Sequence, residues 1–181
     1  MKVWDPLVRM LHWTLVLAVA AATASIWMLG GLHQPAGYVA LGVLVVRVLW
    51  GFAGGQRDSP MRFARFTQFV RRPRATLAYA RALLQHREPR YIGHNPLGGW
   101  MVLALLTCVA GLALTGWLYT ADWFWGDERV EQAHAALAWW LLLLVVVHLA
   151  GVIFTSLRHR ENLVRAMLTG TKREPAGHDV V

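Results

Sequence analysis

Four long apolar segments constrain this chain more than any other feature of its sequence. A helix that crosses a lipid bilayer needs about 20 predominantly apolar residues. The chain has 181 residues and is 56% apolar, which is more than a soluble fold of this size buries. We therefore predict an all-α integral membrane protein, a bundle of four transmembrane helices. The predicted spans are approximately Leu7–Leu29, Gly37–Phe52, Pro96–Trp117 and Ala133–Leu157. The second span is short unless residues 33–36 belong to it.

The net charge of +8 is concentrated in the segments that flank the apolar ones. Arginines dominate the connection between the second and third spans, and Lys and Arg recur after the fourth. The connection between the third and fourth spans is acidic instead, with Asp122, Asp127, Glu128 and Glu131 against Arg129. Lys and Arg concentrate on the cytoplasmic side of membranes. We therefore predict a multi-pass protein of the bacterial inner membrane, with both termini cytoplasmic and its basic residues on lipid rather than nucleic acid.

The basic connection between the second and third spans is predicted to lie on the membrane surface. Phe63, Phe66 and Phe69 recur every three residues among the arginines. This spacing predicts one or two amphipathic helices, whose basic side chains meet anionic lipid headgroups. We expect residues 1–171 to form one transmembrane domain and residues 172–181 to form a polar tail that frays.

Four histidines lie near the ends of the predicted spans. His134 and His148 are fourteen residues apart on the fourth span, so they share nearly one helix face and are separated by about 21 Å. His12 lies near the cytoplasmic end of the first span, and His33 lies at the outer start of the second. Depth in the membrane therefore pairs His12 with His148 and His33 with His134.

Two imidazoles from facing helices at one depth suit a haem iron, which takes a ring nitrogen on each side. Small residues such as Gly37, Gly42 and Gly111 would leave room for a flat cofactor, although small residues also allow close helix packing. A zinc site needs about four clustered ligands, and a proton relay would use carboxylates inside the spans. The spans contain no Asp or Glu. For any single histidine, packing against a backbone carbonyl stays an alternative.

The stretches around these histidines resemble the bacterial four-helix di-haem cytochrome b family. This family includes bacterial cytochrome b561 and the b-type cytochrome subunit of nickel–iron hydrogenases. The similar stretches are VRMLHW with His12, HQPAGY with His33, VVRVLWGF with Arg47, GHNPLGG with His94, and the step from His134 to His148. The resemblance covers residues 3 to about 170.

This resemblance implies two haems b, each ligated by two histidines: His12 with His148, and His33 with His134. It also implies electron transfer in a respiratory chain, between the quinone pool and a periplasmic-side redox partner such as a hydrogenase or a c-type cytochrome. In that context His94, Arg47 and Arg9 are expected to bind haem propionates or line a quinone pocket. The alternatives are that His94 caps the third helix and that the arginines reach lipid headgroups.

Three functions are compatible with the sequence. An electron-transfer subunit is favoured over an independent enzyme, which would be a quinone-linked oxidoreductase acting on a small oxidant such as superoxide. The acidic outer connection disfavours an anionic substrate there. A non-redox scaffold protein is the third, and it would be colourless. The outer connections are short, so a c-type cytochrome suits them as well as a large hydrogenase. The oligomeric state stays open.

Overall fold

The computed structural model describes residues 1–26, 31–54 and 63–180, and these residues are predominantly helical. The helices are α1 (Pro6–Ser25), α2 (His33–Ala53), α3 (Phe66–Phe69), α4 (Pro73–Leu84), α5 (Pro96–Thr120), α6 (Glu128–Arg158) and α7 (Leu163–Thr169). Within the described part of the chain there is no β-strand, but two isolated bridges join Lys2 to Thr171 and Tyr91 to Val180.

Four of these helices, α1, α2, α5 and α6, are long and apolar enough to cross a membrane, as predicted. Helix α2 begins at His33, so residues 33–36 do belong to the second span. Helix α1 begins at Pro6, where the preset φ angle of proline suits the first helical position. The Asp5 side chain caps this helix by accepting hydrogen bonds from the backbone nitrogens of Leu7 (2.7 Å) and Val8 (3.2 Å).

The chain divides into two compact units. The first, here the central unit, comprises Met10–Val48 and Ala104–Val146. Its core takes residues from all four long helices: Ala18, Ala40, Leu44, Cys108, Val109 and Leu141. A β-carbon at Gly111 would lie 3.0 Å from the Leu137 side chain, so the glycine permits close approach of α5 and α6. The free thiol of Cys108 packs in this core and donates to the Leu137 carbonyl at 3.3 Å.

The second unit, here the terminal unit, comprises Met1–Arg9, Leu49–Leu103 and Val147–Val181. Val3, Phe63 and Ile92 form its apolar cluster. The tail was predicted to fray, but it is ordered. Residue 172 exchanges backbone hydrogen bonds with Met1, and Val180 exchanges them with residues 90 and 92. These bonds satisfy the tail backbone and hold it against the N-terminus.

Two helices, α3 and α4, lie between α2 and α5 in the chain, as predicted, but the three phenylalanines do not form an outward apolar face. Phe63, Phe66 and Phe69 are at most 9% exposed, because they pack inside the terminal unit rather than facing a lipid surface. The ring centres of Phe66 and Phe69 are 5.7 Å apart, and Phe66 also contacts Phe52. Helix α4 does have an amphipathic sequence. Its Tyr79 is buried, whereas its Leu77 and Leu84 are exposed.

Candidate functional site

His33 is the first residue of α2, and its ring is held by the last turn of α1. The Nδ1 atom of His33 lies 2.9 Å from the carbonyl oxygen of Ala22. A carbonyl can only accept, so Nδ1 must carry the proton. The neutral ring therefore has its lone pair on Nε2, the atom that is then available to a metal.

His134, on the second turn of α6, is oriented in the same way by a hydroxyl on α5. Its Nδ1 atom lies 2.9 Å from Oγ1 of Thr115. That hydroxyl donates its own hydrogen to the Gly111 carbonyl at 2.8 Å, so it accepts from His134. The lone pair of His134 is therefore also on Nε2. Hydrogen bonds of this kind set the tautomer and the orientation of metal-binding histidines.

The two rings face each other within the central unit. Their centroids are 5.9 Å apart and their planes are inclined by 69°. Two imidazoles that bind one metal from opposite sides, at metal–nitrogen distances of about 2 Å, have centroids roughly 6 Å apart. The donor set and its spacing therefore fit the two axial ligands of a haem iron.

A glycine lies near each histidine of the pair. A β-carbon at Gly116 would lie 3.4 Å from Cε1 of His134, so a larger side chain there would crowd this ring. Gly37 is one turn beyond His33 on α2, and a β-carbon placed there would have no neighbour within 4 Å. The face of α2 beyond His33 is therefore open at this position.

The other two predicted ligands lie in different units, and each is described by itself. His12 is in the central unit, on α1, where its half-buried ring meets the edge of Trp13 at a centroid distance of 5.1 Å. His148 is in the terminal unit, on α6, and is also half-buried. A ligand role for these two residues stays a prediction.

The two arginines differ in their surroundings. Arg47 is 7% exposed on a membrane-length helix. An ionised side chain in such a position is costly in free energy and usually has a function. Arg9 instead donates to the carbonyl oxygens of Met167 and Leu168 at the end of α7. A cation at these last carbonyls stabilises the helix end. A propionate contact for either arginine stays a prediction.

His94 packs between two aromatic rings in the terminal unit. Its centroid lies 4.7 Å from that of Trp4 and 4.5 Å from that of Phe69. The side chain that caps α5 is that of Asn95, whose Oδ1 accepts from the Gly98 nitrogen at 2.7 Å. Capping of α5, the alternative role predicted for His94, is therefore performed by the next residue, Asn95.

A buried charge cluster in the terminal unit was missed by sequence reasoning. Arg90 pairs with Glu161 at 2.6 Å and with Asp179, and Lys172 lies 3.9 Å from Glu161. Burial lowers the pKa of Lys172 to about 8; the negative charge of Glu161 offsets this in part, and the positive charge of Arg90 adds to it. Acidic residues in a mostly basic tail were the available signal, but a sequence does not show which cation they meet.

Thr115 was also missed. A lone hydroxyl in an apolar span can bond to a carbonyl of its own helix, so it does not by itself indicate a functional site. Thr115 does both, since it donates to the Gly111 carbonyl and accepts from His134. Its distance from His134 along the chain hides this role, and only the packing of α5 on α6 reveals it.

A membrane-length helical bundle with two facing imidazoles, each with Nε2 available to a metal, is typical of membrane-embedded b-type cytochromes. The model of the family described as prokaryotic cytochrome b561 matches residues 3–170. This chain belongs to that family. Its members are b-type cytochromes, whose prosthetic group is haem b.

The relatives of this chain carry the name probable Ni/Fe-hydrogenase B-type cytochrome subunit. The relative from Bradyrhizobium diazoefficiens is 24% identical over 168 residues, covering 78% of this chain and 65% of its own. The one from Rhodobacter capsulatus is 22% identical, covering 76% of this chain and 60% of its own. The one from Azotobacter vinelandii is 23% identical, with coverage of 93% and 86%. This chain thus spans less than two thirds of the length of the first two. No solved structure matches it.

Proposed function

We propose that this protein transfers electrons across the bacterial inner membrane through two b haems, between the quinone pool and a redox partner on the periplasmic side. The observation that carries the proposal is the His33–His134 pair, with its 5.9 Å centroid distance and both Nδ1 atoms engaged by the protein. When bound, each haem supplies an iron that gains or loses one electron.

The chain's own contribution is to orient the ligands. The Ala22 carbonyl and the Thr115 hydroxyl accept from His33 and His134, so each ring presents Nε2 without rotating or exchanging its proton. Such hydrogen bonds also raise the basicity of the imidazole, and they thereby stabilise the ferric state. The pair lies in the same unit as the apolar core that α1, α2, α5 and α6 form together.

His12 and His148 are proposed as the ligands of the second haem. Support comes from the sequence: the step from His134 to His148 returns to nearly the same face of α6 and advances about 21 Å. Two haems at that separation would lie near the two sides of a hydrocarbon layer about 30 Å thick. Arg47 is fourteen residues beyond His33 on α2, at a depth that suits a propionate of this second haem.

The cytoplasmic side is proposed to hold both termini, because an even number of spans returns the chain to one side and the arginines concentrate there. In this orientation His94 would be on the cytoplasmic side, where an imidazole between Trp4 and Phe69 suits a quinone or a propionate. The names of the relatives point to a Ni/Fe hydrogenase as one candidate partner for this chain.

The decisive experiment is a haem count combined with a redox titration of the purified protein. We expect two haems b per chain by pyridine haemochrome and two redox components. His33→Ala and His134→Ala should abolish one component, because removal of an axial ligand leaves the iron with an open position. His12→Ala and His148→Ala should abolish the other. His178→Ala, an exposed histidine of the tail, is the matched control and should keep both.

The outcomes separate the parts of this proposal. A wild-type protein with one haem or none would refute the di-haem assignment. Loss of the same component in His12→Ala and His134→Ala would refute the pairing of ligands. A colourless protein would indicate a scaffold rather than a cytochrome.

A further inference from the structure

The connection between α5 and α6 combines exposed aromatic rings with unpaired carboxylates. We define residues 121–131 as the acidic loop. Trp123 is 93% exposed and Trp125 is 74% exposed. The side chains of Asp122, Glu128 and Glu131 are exposed as well. Large aromatic residues are enriched in protein interfaces, where a single Trp often contributes much of the affinity.

The loop is built rather than irregular. Successive tight turns are closed by backbone hydrogen bonds from Ala121 to Leu118, from Phe124 to Ala121 and from Asp127 to Phe124. Gly126 takes a positive φ of 74°, and the Trp125 ring stacks on Tyr119 at 6.5 Å. A surface that is already ordered loses less conformational entropy when a partner docks on it.

The charge of the loop is strongly one-sided. It contains four carboxylates and one arginine, so its formal charge is −3. Arg129 folds back onto Asp127, with a distance of 3.2 Å between Nη2 and Oδ2. Across residues 1–26, 31–54 and 63–180, no ion pair forms to the three remaining carboxylates. The electrostatic field of these three carboxylates therefore acts on an approaching charged molecule.

The acidic loop joins α5, which carries Thr115, to α6, which carries His134. Glu131 precedes His134 by three residues, which is less than one turn of α6, and Thr115 is in the last two turns of α5. A protein docked on the loop would thus approach the haem edge that the His33–His134 pair is proposed to hold.

We propose that the acidic loop is the docking site for a small soluble redox protein with a basic face, and that Trp123 is its apolar anchor. This inference rests on the function proposed above and identifies the charge of the partner. One electron passes from the ferrous haem of this chain to one ferric haem of the partner, so the first iron becomes ferric and the second ferrous. No bond forms and no proton moves.

An anchorage of the loop in lipid headgroups is the competing explanation for exposed tryptophans. Carboxylates are repelled by the anionic lipids of a bacterial membrane, whereas they attract a basic protein and accelerate its association. The distribution of charge around Trp123 therefore favours a protein partner.

The test uses the haem-loaded protein in nanodiscs of zwitterionic lipid, which does not itself attract a basic protein. The probe is a soluble basic c-type cytochrome, and the control probe is the same cytochrome with its lysines succinylated. Binding is measured by biolayer interferometry, and electron transfer by stopped flow from the reduced membrane protein. We expect binding that weakens steeply with salt, and no binding of the succinylated cytochrome.

Three variants test the surface itself. The triple variant Asp122→Asn, Glu128→Gln, Glu131→Gln should lower the association rate of the basic cytochrome by about tenfold or more and abolish most of its salt dependence. Trp123→Ala should raise the dissociation rate by a similar factor. Glu174→Gln, which removes an exposed carboxylate from the terminal unit, should leave both rates unchanged.

Ferricyanide oxidation and the haem spectrum of each variant separate failure of docking from failure of the function. Intact haems that ferricyanide oxidises at the wild-type rate or faster, with slower transfer to the basic cytochrome, support the proposal. Equal binding of the basic cytochrome to the triple variant and the wild type would overturn it. The chain has ten tryptophans, so the contribution of Trp123 is the difference between the wild type and Trp123→Ala. Strong quenching of this difference by brominated lipid would overturn the proposal as well, because the loop would then lie in the headgroups. A protein without haem would refute the proposed function instead.

Discussion

At the scale of single residues, the position of the proton on His33 and on His134 is determined by a neighbouring group. The Ala22 carbonyl can only accept, and the Thr115 hydroxyl has already donated its hydrogen to Gly111, so both rings are protonated on Nδ1. Both Nε2 atoms are then free of hydrogen, which is what iron ligation requires. Two unrelated partners, a backbone carbonyl and a side-chain hydroxyl, thus produce the same tautomer.

Replacement of Thr115 isolates this effect. Thr115→Val keeps the shape of the side chain but removes the acceptor for the Nδ1–H of His134. The imidazole becomes less basic and stabilises ferric iron less, so the potential of one haem should rise. A tenfold effect corresponds to about 60 mV in a redox titration. Thr115→Ser is the matched control and should stay near the wild-type potential. A shift of both components, or equal shifts in Val and Ser variants, would contradict the assignment.

At the scale of elements, α2 carries His33 and two glycines that lie in open space. Gly37 follows His33 by four residues and lies on its face of the helix, whereas Gly42 follows by nine residues and lies on the opposite face. Neither glycine has a neighbour within 4 Å of a β-carbon position. The two open glycines therefore lie on different faces of α2: Gly37 on the face of His33, and Gly42 on the opposite face.

Leucine substitutions at these two glycines should separate a haem cradle from a lipid-facing surface. Gly37→Leu fills open space one turn along α2 from His33, and a haem held by the histidine pair would compete with the added side chain for that space. We expect about a tenfold loss of affinity for the haem at this pair, measured as haem per chain and as a reduced amplitude of one redox component. Gly42→Leu should retain both haems. Equal haem contents in the two variants would contradict a cradle at Gly37.

The same elements explain why α3 differs from its prediction. A three-residue repeat of Phe63, Phe66 and Phe69 produces an apolar face whether lipid or protein covers it. In this chain the terminal unit covers it, and Gly51 accommodates the Phe66 ring, which a β-carbon there would overlap. Arg65, the one arginine between Phe63 and Phe69 in the sequence, occupies another position of the repeat.

At the scale of the whole molecule, four spans and the distribution of arginines predict the orientation. Single cysteines introduced at Gln34 and Asp127, in a variant without Cys108, should react with an impermeant maleimide added to intact cells. A cysteine at Gln85, in the basic connection, should react only after the membrane is permeabilised. Reaction of the Gln85 cysteine in intact cells would reverse the orientation.

The charge cluster around Arg90 makes the attachment of the tail dependent on pH. Burial raises the pKa of Glu161, but hydrogen bonds from Arg90 and from the Arg173 backbone lower it more, so the net shift is downward. A hydrogen bond from the Ala176 backbone and another from Arg90 lower the pKa of Asp179. A carboxyl group with a lowered pKa contributes stability above its ordinary pKa, and this contribution is lost as the pH falls through the lowered value.

We therefore expect residues 172–180 to detach below about pH 4 while the helices persist. Hydrogen exchange followed by mass spectrometry should show faster exchange at Ile92 and Val180, whose amides bond to the backbone across this junction, after correction for the intrinsic effect of pH. Glu161→Gln should show fast exchange at neutral pH already. His178→Ala, at an exposed position of the tail, should behave as the wild type. Protection that is unchanged in Glu161→Gln would exclude the cluster as the attachment.

The sequence by itself determined the spans and the histidine candidates, because hydrophobic length and helical period are local properties. The start of α1 at Pro6 and the inclusion of His33 in α2 follow from such rules. Tertiary structure alone decided that the Ala22 carbonyl and Thr115 orient His33 and His134, that the phenylalanines are internal, and that Arg90 holds a tail 89 residues away at Asp179. Each of these depends on a contact between distant segments, and many partners of the right chemistry compete for such a contact until the chain has packed.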